Sequence, residues 1–194
     1  QESRGLGDVY KRQALEKALS LDRNQPHLHA LRADLLMKLG DFEAARRGLE
    51  MALDQWPMEA GLRLRMGQTL KALGELPQAL SHLEHGIAAM EEKQDLSLKR
   101  EVYELAAKLA YATLRPRRAF AYLQSAIPET DPDYTQFDQA LLRAELALEA
   151  GEDDAAEAAL EILERQAGES PRVICAGSRL DNRRGRRGEA DRKC

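Results

Sequence analysis

Four short stretches decide the fold of this 194-residue chain. Each begins with a glycine and a charged residue and ends with an alanine. GDFEAA at residues 40–45 is followed by GELPQA at 74–79, and GEDDAA at 151–156 is followed by GRRGEA at 185–190. The two intervals are equal, because 74 − 40 and 185 − 151 both give 34 residues. A fixed period of this size indicates a repeat architecture, in which each unit is stabilised by stacking on its neighbours.

A fifth copy and two further sets of positions strengthen this period. Residues 114–119 keep the alanine of the pattern, although Leu114 replaces the glycine. Seven positions before each turn lies a small residue, and four positions after each of the first four alanines lies a leucine. The small residues are Ala33, Gly67, Ala107, Ala144 and Ser178, and the leucines are Leu49, Leu83, Leu123 and Leu160. Small residues allow helices to approach closely while leucines fill the space beside them, which predicts pairs of helices.

The composition also favours helices. Hydrophobic residues make up 43% of the chain, charged residues 32% and aromatic residues only 5%, and β-branched residues are scarce. The formal net charge of −4 argues against general nucleic-acid affinity, and no apolar run approaches the roughly 18 residues of a membrane span. The two cysteines, Cys175 and Cys194, form neither a disulfide framework nor a metal-ligand pattern.

These features together resemble the tetratricopeptide repeat, which has a 34-residue period, a glycine between its two helices and a closing proline such as Pro57. The resemblance covers roughly residues 14–190, and HEAT-type repeats are disfavoured because their period is about 40 to 47 residues. The early tryptophan of the family is replaced by His29, Arg63, Tyr103 and Ala140. The resemblance implies an all-α fold, a right-handed α-solenoid of stacked antiparallel helix pairs.

The resemblance also divides the chain, with an A helix before each turn and a B helix after it. We expect a partial B helix at 14–22, full repeats at about 26–57, 58–93, 98–128 and 133–168, and a partial repeat at 171–194. Extra residues after Ala88 are predicted to lengthen the second B helix to Glu92. Residues 7–13, GDVYKRQ, back-translate into the end of a common sequencing adapter. We therefore expect 1–13 to be a non-native leader, and the chain to be a piece cut within a repeat at both ends.

Candidate site residues follow from the same resemblance, because partners of the family usually lie in the concave groove lined by the A helices. Carried over position by position, this implies a groove wall that includes Asp34, Lys38, Arg65, Gln68, Lys71, Glu104, Lys108, Tyr111, Glu145 and Arg179. Ala30 and Asp34 occupy the places where one subgroup grips a C-terminal carboxylate with Lys and Asn, so that clamp is missing here. His82 and His85 share a helix face, and we interpret both as exposed surface residues rather than metal ligands.

No catalytic, cofactor-binding or metal-binding residue is predicted, because the sequence contains no phosphate loop, nucleophile elbow or zinc-protease motif. Charge alternates along the chain, from basic at 97–123 to acidic at 129–169 and basic again at 171–194. Two interpretations stay open: attraction between neighbouring repeats, or charged zones in a groove that binds a partner.

The sequence thus predicts a protein–protein interaction scaffold rather than an enzyme. It would bind a peptide or protein segment in its groove, with no cofactor, no nucleic acid and no membrane insertion. One alternative is the substrate-recruiting arm of a longer bacterial enzyme, such as a glycosyl- or sulfotransferase. Another is a structural part of an envelope or secretion assembly. A cytoplasmic location is slightly favoured.

Overall fold

The structure is a computed structural model that describes residues 24–90, 95–126, 137–167 and 171–185, together with residues 10, 13, 16 and 17. Within these ranges every regular element is an α-helix, which confirms the predicted all-α repeat fold. The helices, in chain order, are α1 (Pro26–Lys38), α2 (Phe42–Gln55), α3 (Ala60–Ala72), α4 (Leu76–Ala89), α5 (Leu96–Ala112), α6 (Pro116–Ala126), α7 (Phe137–Ala150), α8 (Asp153–Ala167) and α9 (Pro171–Arg183).

Several predictions concern segments outside the described residues. Apart from single positions, the expected leader at 1–13 and the expected B helix at 14–22 lie there. So do the first residues of the fourth repeat, 133–136, and the final stretch, 186–194.

Each A helix that precedes a glycine ends in a left-handed turn at that residue. Gly40, Gly74, Gly151 and Gly185 have φ angles of 80°, 83°, 86° and 77°, a conformation that glycine adopts without the steric cost of a Cβ atom. At the first turn, the Asp41 N–H donates to the Leu36 carbonyl at 2.9 Å and the Gly40 N–H donates to the Met37 carbonyl at 3.0 Å. This pairing satisfies carbonyls that the helix end would leave open.

The turn between α5 and α6 has the same geometry without a glycine. Leu114 has a φ of 59°, and it is the one non-glycine residue with positive φ in the described part of the chain. The Arg115 N–H donates to the Ala110 carbonyl at 2.8 Å, as at the glycine turns. Since the Leu114 side chain is 90% exposed, packing does not offset the roughly 1–2 kcal/mol cost of a left-handed L-residue.

The core consists of the positions that define the repeat. In the described part of the chain, the pattern alanines Ala45, Ala79, Ala119 and Ala156 are fully buried, and the leucines and small residues of the repeat are buried beside them. Helices α3 and α4 approach each other closely, since a Cβ atom on Gly67 would stand 2.8 Å from Leu83 Cδ2. Burial of each such leucine contributes about 1.5–3 kcal/mol.

The described helices fall into two compact units, and the division lies inside α5. Unit 1, residues 1–105, contains α1 to α4 and the first part of α5. Here α1 packs on α2 and α3, and α3 packs on α2 and α4. Unit 2, residues 106–194, contains the rest of α5 and α6 to α9. Here α7 packs on α6 and α8, and α9 packs on both α7 and α8.

The structure differs from the sequence analysis at both ends of the second repeat. α3 begins at Ala60 rather than at Met58, because the Glu59 N–H donates to the Trp56 carbonyl and closes a turn around Pro57. α4 ends at Ala89, and Met90 is extended, with φ −71° and ψ 126°. The prediction that extra residues lengthen this helix to Glu92 is therefore wrong at Met90, while residues 91–94 lie outside the described part.

Candidate partner-binding site

An open cleft in unit 1 brings together polar side chains from three successive A helices. The Asp34 carboxylate on α1 lies 2.6 Å from Arg65 Nε on α3. The Glu101 carboxylate on α5 accepts from Gln68 Nε2 at 2.9 Å and lies 3.5 Å from Arg65 Nη1. Lys38 completes this side of the cleft, whose volume is about 400 Å³. We refer to this site as the A-helix cleft.

A buried hydroxyl group contacts one residue that lines the A-helix cleft. Thr69 is fully buried, and its Oγ1 lies 2.8 Å from the Arg65 carbonyl and 3.2 Å from Met37 Sδ, which also lines the cleft. A threonine hydroxyl bonded to the carbonyl four residues earlier is held in one rotamer. The Thr69 side chain is therefore fixed to the backbone of α3, where it contacts the Met37 side chain of the cleft.

Burial perturbs the ionisation of Asp34 within the A-helix cleft. Burial raises the pKa of Asp34 above its ordinary value, and the positive charge and hydrogen bond of Arg65 and the charge of Lys38 oppose this rise without cancelling it. The neighbouring Glu101 carboxylate adds to the increase. Because ionised Asp34 is poorly solvated, hydrogen-bond donors or a cation from a partner would be favoured beside it.

The predicted groove residues of unit 2 lie on neighbouring helices but have separate partners. Glu145 on α7 accepts from Arg172 at 2.9 Å, whereas Arg179 on α9 donates to Glu149. Both pairs are at exposed positions, so each contributes little stability. This part of the A-helix surface forms ion pairs between adjacent repeats rather than a cleft like that of unit 1.

The remaining predicted residues are less closely associated. Glu104 accepts from Arg100 one turn earlier on α5, at 3.0 Å. Lys71, Lys108 and Tyr111 are exposed.

Sequence reasoning missed Glu101, which bonds to two residues of α3. Helical periodicity could have identified it, because Glu101 lies three residues before Glu104 and seven before Lys108 and so shares their face.

His82 differs from its predicted environment. It is half-buried, and its Nδ1 lies 3.2 Å from Arg63 Nη1. Since arginine can only donate, Nδ1 accepts and the proton of the neutral ring is on Nε2. Burial, followed by the charges of Arg63 and His85, lowers the pKa of His82. The prediction of an exposed residue is wrong here, because Arg63 reaches across from α3, while His85 is exposed as predicted.

Arg63 occupies the position where the family carries its early tryptophan. Its Nε and Nη2 donate to the Pro57 carbonyl at 3.0 and 2.8 Å. The guanidinium group thus holds the loop before α3 by hydrogen bonds, where an aromatic ring would hold it by packing.

Alternating charge along unit 2 produces contacts between repeats. α9 presents arginines to the acidic residues of α7 and α8, including Arg183 Nε to Asp153 at 3.4 Å. Arg184, just beyond α9, reaches Asp154 at 2.7 Å and Glu157 at 2.8 Å. Attraction between neighbouring repeats, one of the two interpretations left open above, is therefore present in the structure.

The described residues contain neither a cluster of metal ligands nor a membrane-spanning helix. No group of three or more His, Cys, Asp or Glu residues in this part of the chain could hold a metal ion. None of the described helices is long and apolar enough to cross a membrane.

Paired helices, left-handed turns at a 34-residue period and a polar A-helix surface define a helical-repeat protein. No protein-family model matches the chain. Human tetratricopeptide repeat protein 34 is 31% identical over 113 residues, which is 58% of this chain. The match covers 20% of that relative, so the chain spans about a fifth of its length.

Solved structures show the same fold at low sequence identity. YrrB, described as a TPR protein with an unusual peptide-binding site, has a TM-score of 0.76 at 16% identity, covering 91% of this chain and 87% of that one. Pseudomonas aeruginosa pilF has a TM-score of 0.67 at 20% identity, covering 98% and 82%. MamA has a TM-score of 0.65 at 20% identity, covering 87% of each chain. With its repeat period and turns, the chain has the fold of these tetratricopeptide repeat proteins, and its sequence is similar to that of a human member of the family.

Proposed function

We propose that the chain is a protein–protein interaction module that binds an extended peptide segment on its A helices, centred on the A-helix cleft. The observation that carries this proposal is the convergence of Asp34, Arg65, Gln68 and Glu101 from three successive repeats around one open space. A ligand that contacts all four residues must run across the helices, as an extended peptide does.

The chemistry of the cleft supports a polar, donor-rich segment. Two carboxylates share one guanidinium group, and burial raises the pKa of Asp34 despite that group. Peptide N–H groups and basic side chains would supply further hydrogen-bond donors to these carboxylates. Lys38, at the exposed edge, would meet carbonyls or a carboxylate of the same segment.

The similarity to YrrB supports this proposal at the level of the fold, since that protein is described as having a peptide-binding site. The proposal remains one of peptide recognition without chemical conversion.

The test is a selection of displayed random peptides on the immobilised chain, followed by affinity measurements with the best peptide. Gln68→Arg places a large cation in the cleft, and we expect it to weaken binding by about tenfold or more, or about 1.4 kcal/mol. Gln78→Arg makes the same change on exposed α4 and should leave the affinity unchanged. Thermal unfolding of both variants checks that they fold.

Two results would contradict the proposal. One is that no peptide is enriched over selection on an unrelated immobilised protein. The other is that Gln68→Arg, folded as stably as Gln78→Arg, binds the selected peptide as tightly as the unmodified chain.

A further inference from the structure

Unit 2 contains a second cleft, at the turns between helices and with none of the residues of the A-helix cleft. Its volume is about 490 Å³. Arg115 lies in the turn between α5 and α6, two further arginines lie in the first turn of α6, and a fourth lies at the end of α9. The lining residues are Arg115, Pro116, Arg117, Arg118, Glu149, Ala150, Gly151 and Arg183. We refer to this site as the arginine cleft.

The charge of the arginine cleft is strongly positive, because four guanidinium groups face one carboxylate. That carboxylate, on Glu149, already accepts from Arg179, and the nearby Asp153 carboxylate lies 3.4 Å from Arg183 Nε. The acidic groups at the edge are therefore engaged by the arginines of α9. They pair with Arg179 and Arg183 rather than with Arg115 or Arg117.

Two of the arginines retain the capacity to bind an anion. Arg115 is exposed and has no ion-pair or hydrogen-bond partner for its side chain among the described residues. Arg117 Nε donates to the Ala150 carbonyl at 3.3 Å, a bond that orients the guanidinium group without neutralising it. Both side chains have further donors that remain available to a carboxylate.

Arg183 closes the other side of the cleft. Its guanidinium group donates to the Leu148 carbonyl, and its Nη2 lies 3.2 Å from the position that a Cβ atom on Gly151 would occupy. The absence of a side chain at Gly151 thus lets Arg183 lie directly over the α7–α8 turn. The cleft is bounded by arginines on both sides.

We propose that the arginine cleft binds a carboxylate-rich peptide segment. Arginine forks pair bidentately with carboxylates, which gives both affinity and orientation. A nucleic acid is disfavoured, because no aromatic side chain lines the cleft for base stacking.

The test measures the fluorescence anisotropy of a labelled peptide of alternating glutamate and glycine, with a glutamine-for-glutamate peptide as its control. The double variant Arg115→Glu/Arg117→Glu should weaken binding of the glutamate peptide by roughly tenfold or more. Glutamate near the start of α6 is favourable for the helix, so folding should be kept. The control Arg32→Glu/Arg47→Glu makes the same change in net charge at exposed positions of unit 1, and should change the affinity less than about twofold.

Binding to the unmodified chain should also weaken as salt is raised, since the cleft is open to solvent. The proposal is overturned if the glutamate peptide binds no better than the glutamine peptide, or if both double variants lose affinity equally. It is also overturned if inorganic phosphate or single-stranded oligouridine binds as tightly and loses affinity in the same cleft variant, which would show a general anion site. None of these results bears on the A-helix cleft, because the two clefts share no residue.

Discussion

The α3–α4 pair of unit 1 and the last helix of unit 2 are held by different forces. In unit 1, Gly67 and Leu83 are buried against each other, with no room for even one additional carbon atom. In unit 2, α9 also buries apolar side chains, those of Val173, Ala176 and Leu180, but in addition its arginines form ion pairs at exposed positions. The same repeat is therefore stabilised by shape in one place and with the help of charge in another.

The turns show a second difference between the two units. Both described turns within repeats of unit 1 use glycine, at Gly40 and Gly74, while the first turn of unit 2 forces Leu114 into the same left-handed conformation. Unit 1 has glycine at the left-handed position of both turns, whereas unit 2 has a leucine at one such position. The following substitutions test how much free energy each difference represents.

The largest effect is expected for Gly67→Ala in α3. The new Cβ atom would lie 2.8 Å from Leu83 Cδ2 and 2.9 Å from Leu83 Cγ. Leu83 is fully buried, so its side chain can move only by disturbing its neighbours. We expect the free energy of unfolding to fall by about 1–3 kcal/mol, measured by urea denaturation with circular dichroism.

Gly48→Ala provides the matched control, because Gly48 lies within α2 and a Cβ atom there would meet nothing within 4 Å. That variant should be stabilised by up to about 1 kcal/mol through helix propensity alone. If both substitutions change the free energy of unfolding in the same direction, the close contact between Gly67 and Leu83 does not determine the stability of the α3–α4 pair. The double variant Gly67→Ala/Leu83→Ala should lose less free energy of unfolding than the sum of the losses of the two single variants. The added Cβ atom would occupy space that the Leu83 side chain leaves.

A smaller effect, of opposite sign, is expected for Leu114→Gly in unit 2. Removing the side chain relieves the strain of the left-handed backbone conformation, which stabilises the folded chain by about 1–2 kcal/mol. Glycine also increases the conformational entropy of the unfolded chain, which destabilises the fold by about 0.5–1 kcal/mol. Little packing is lost, because Leu114 is 90% exposed. The net expectation is a stabilisation of about 0.5–1 kcal/mol, measured as an increase in the denaturation midpoint at constant m-value.

The reverse substitution in unit 1 is Gly40→Leu, at a φ of 80° with open space around the Cβ position. It should destabilise by about 1–2 kcal/mol. Should Leu114→Gly prove destabilising while Gly40→Leu behaves as expected, the Leu114 side chain must form a contact in solution that offsets its backbone strain.

Leu114 also shows how far the sequence could be used to predict the fold. Ala119 keeps its place in the repeat, so the turn could be located five residues before it although the glycine was missing. Backbone positions follow from the period because buried alanines and leucines leave few ways to stack the helices. The bounds of α3 were harder to predict, since Pro57 and Glu59 form a turn that the period does not specify.

The candidate site was predicted less completely. The repeat identifies which positions face along the A helices, and so indicated Asp34, Arg65 and Gln68. It does not determine which long side chains meet, because that depends on rotamers and on the neighbouring repeat. Glu101 was missed for this reason, and His82 was predicted to be exposed although Arg63 covers it.

The smallest effect is expected for Arg184→Met, which removes ion pairs between the end of α9 and α8. Arg184 lies 2.7 Å from Asp154 and 2.8 Å from Glu157, and its hydrogen bond to Glu157 raises its pKa, so it is charged throughout the accessible pH range. Because these carboxylates are exposed, we expect faster amide hydrogen exchange in α9 at low salt rather than global unfolding. The difference in exchange rate between Arg184→Met and the unmodified chain should largely vanish in about 1 M salt, where the Debye length is about 3 Å.

Arg47→Met, on α2, is the control and should leave amide exchange in α9 unchanged at both salt concentrations. A loss of protection that persists at high salt would mean that the arginine stem packs on α8, and that α9 is held by shape like the helices of unit 1.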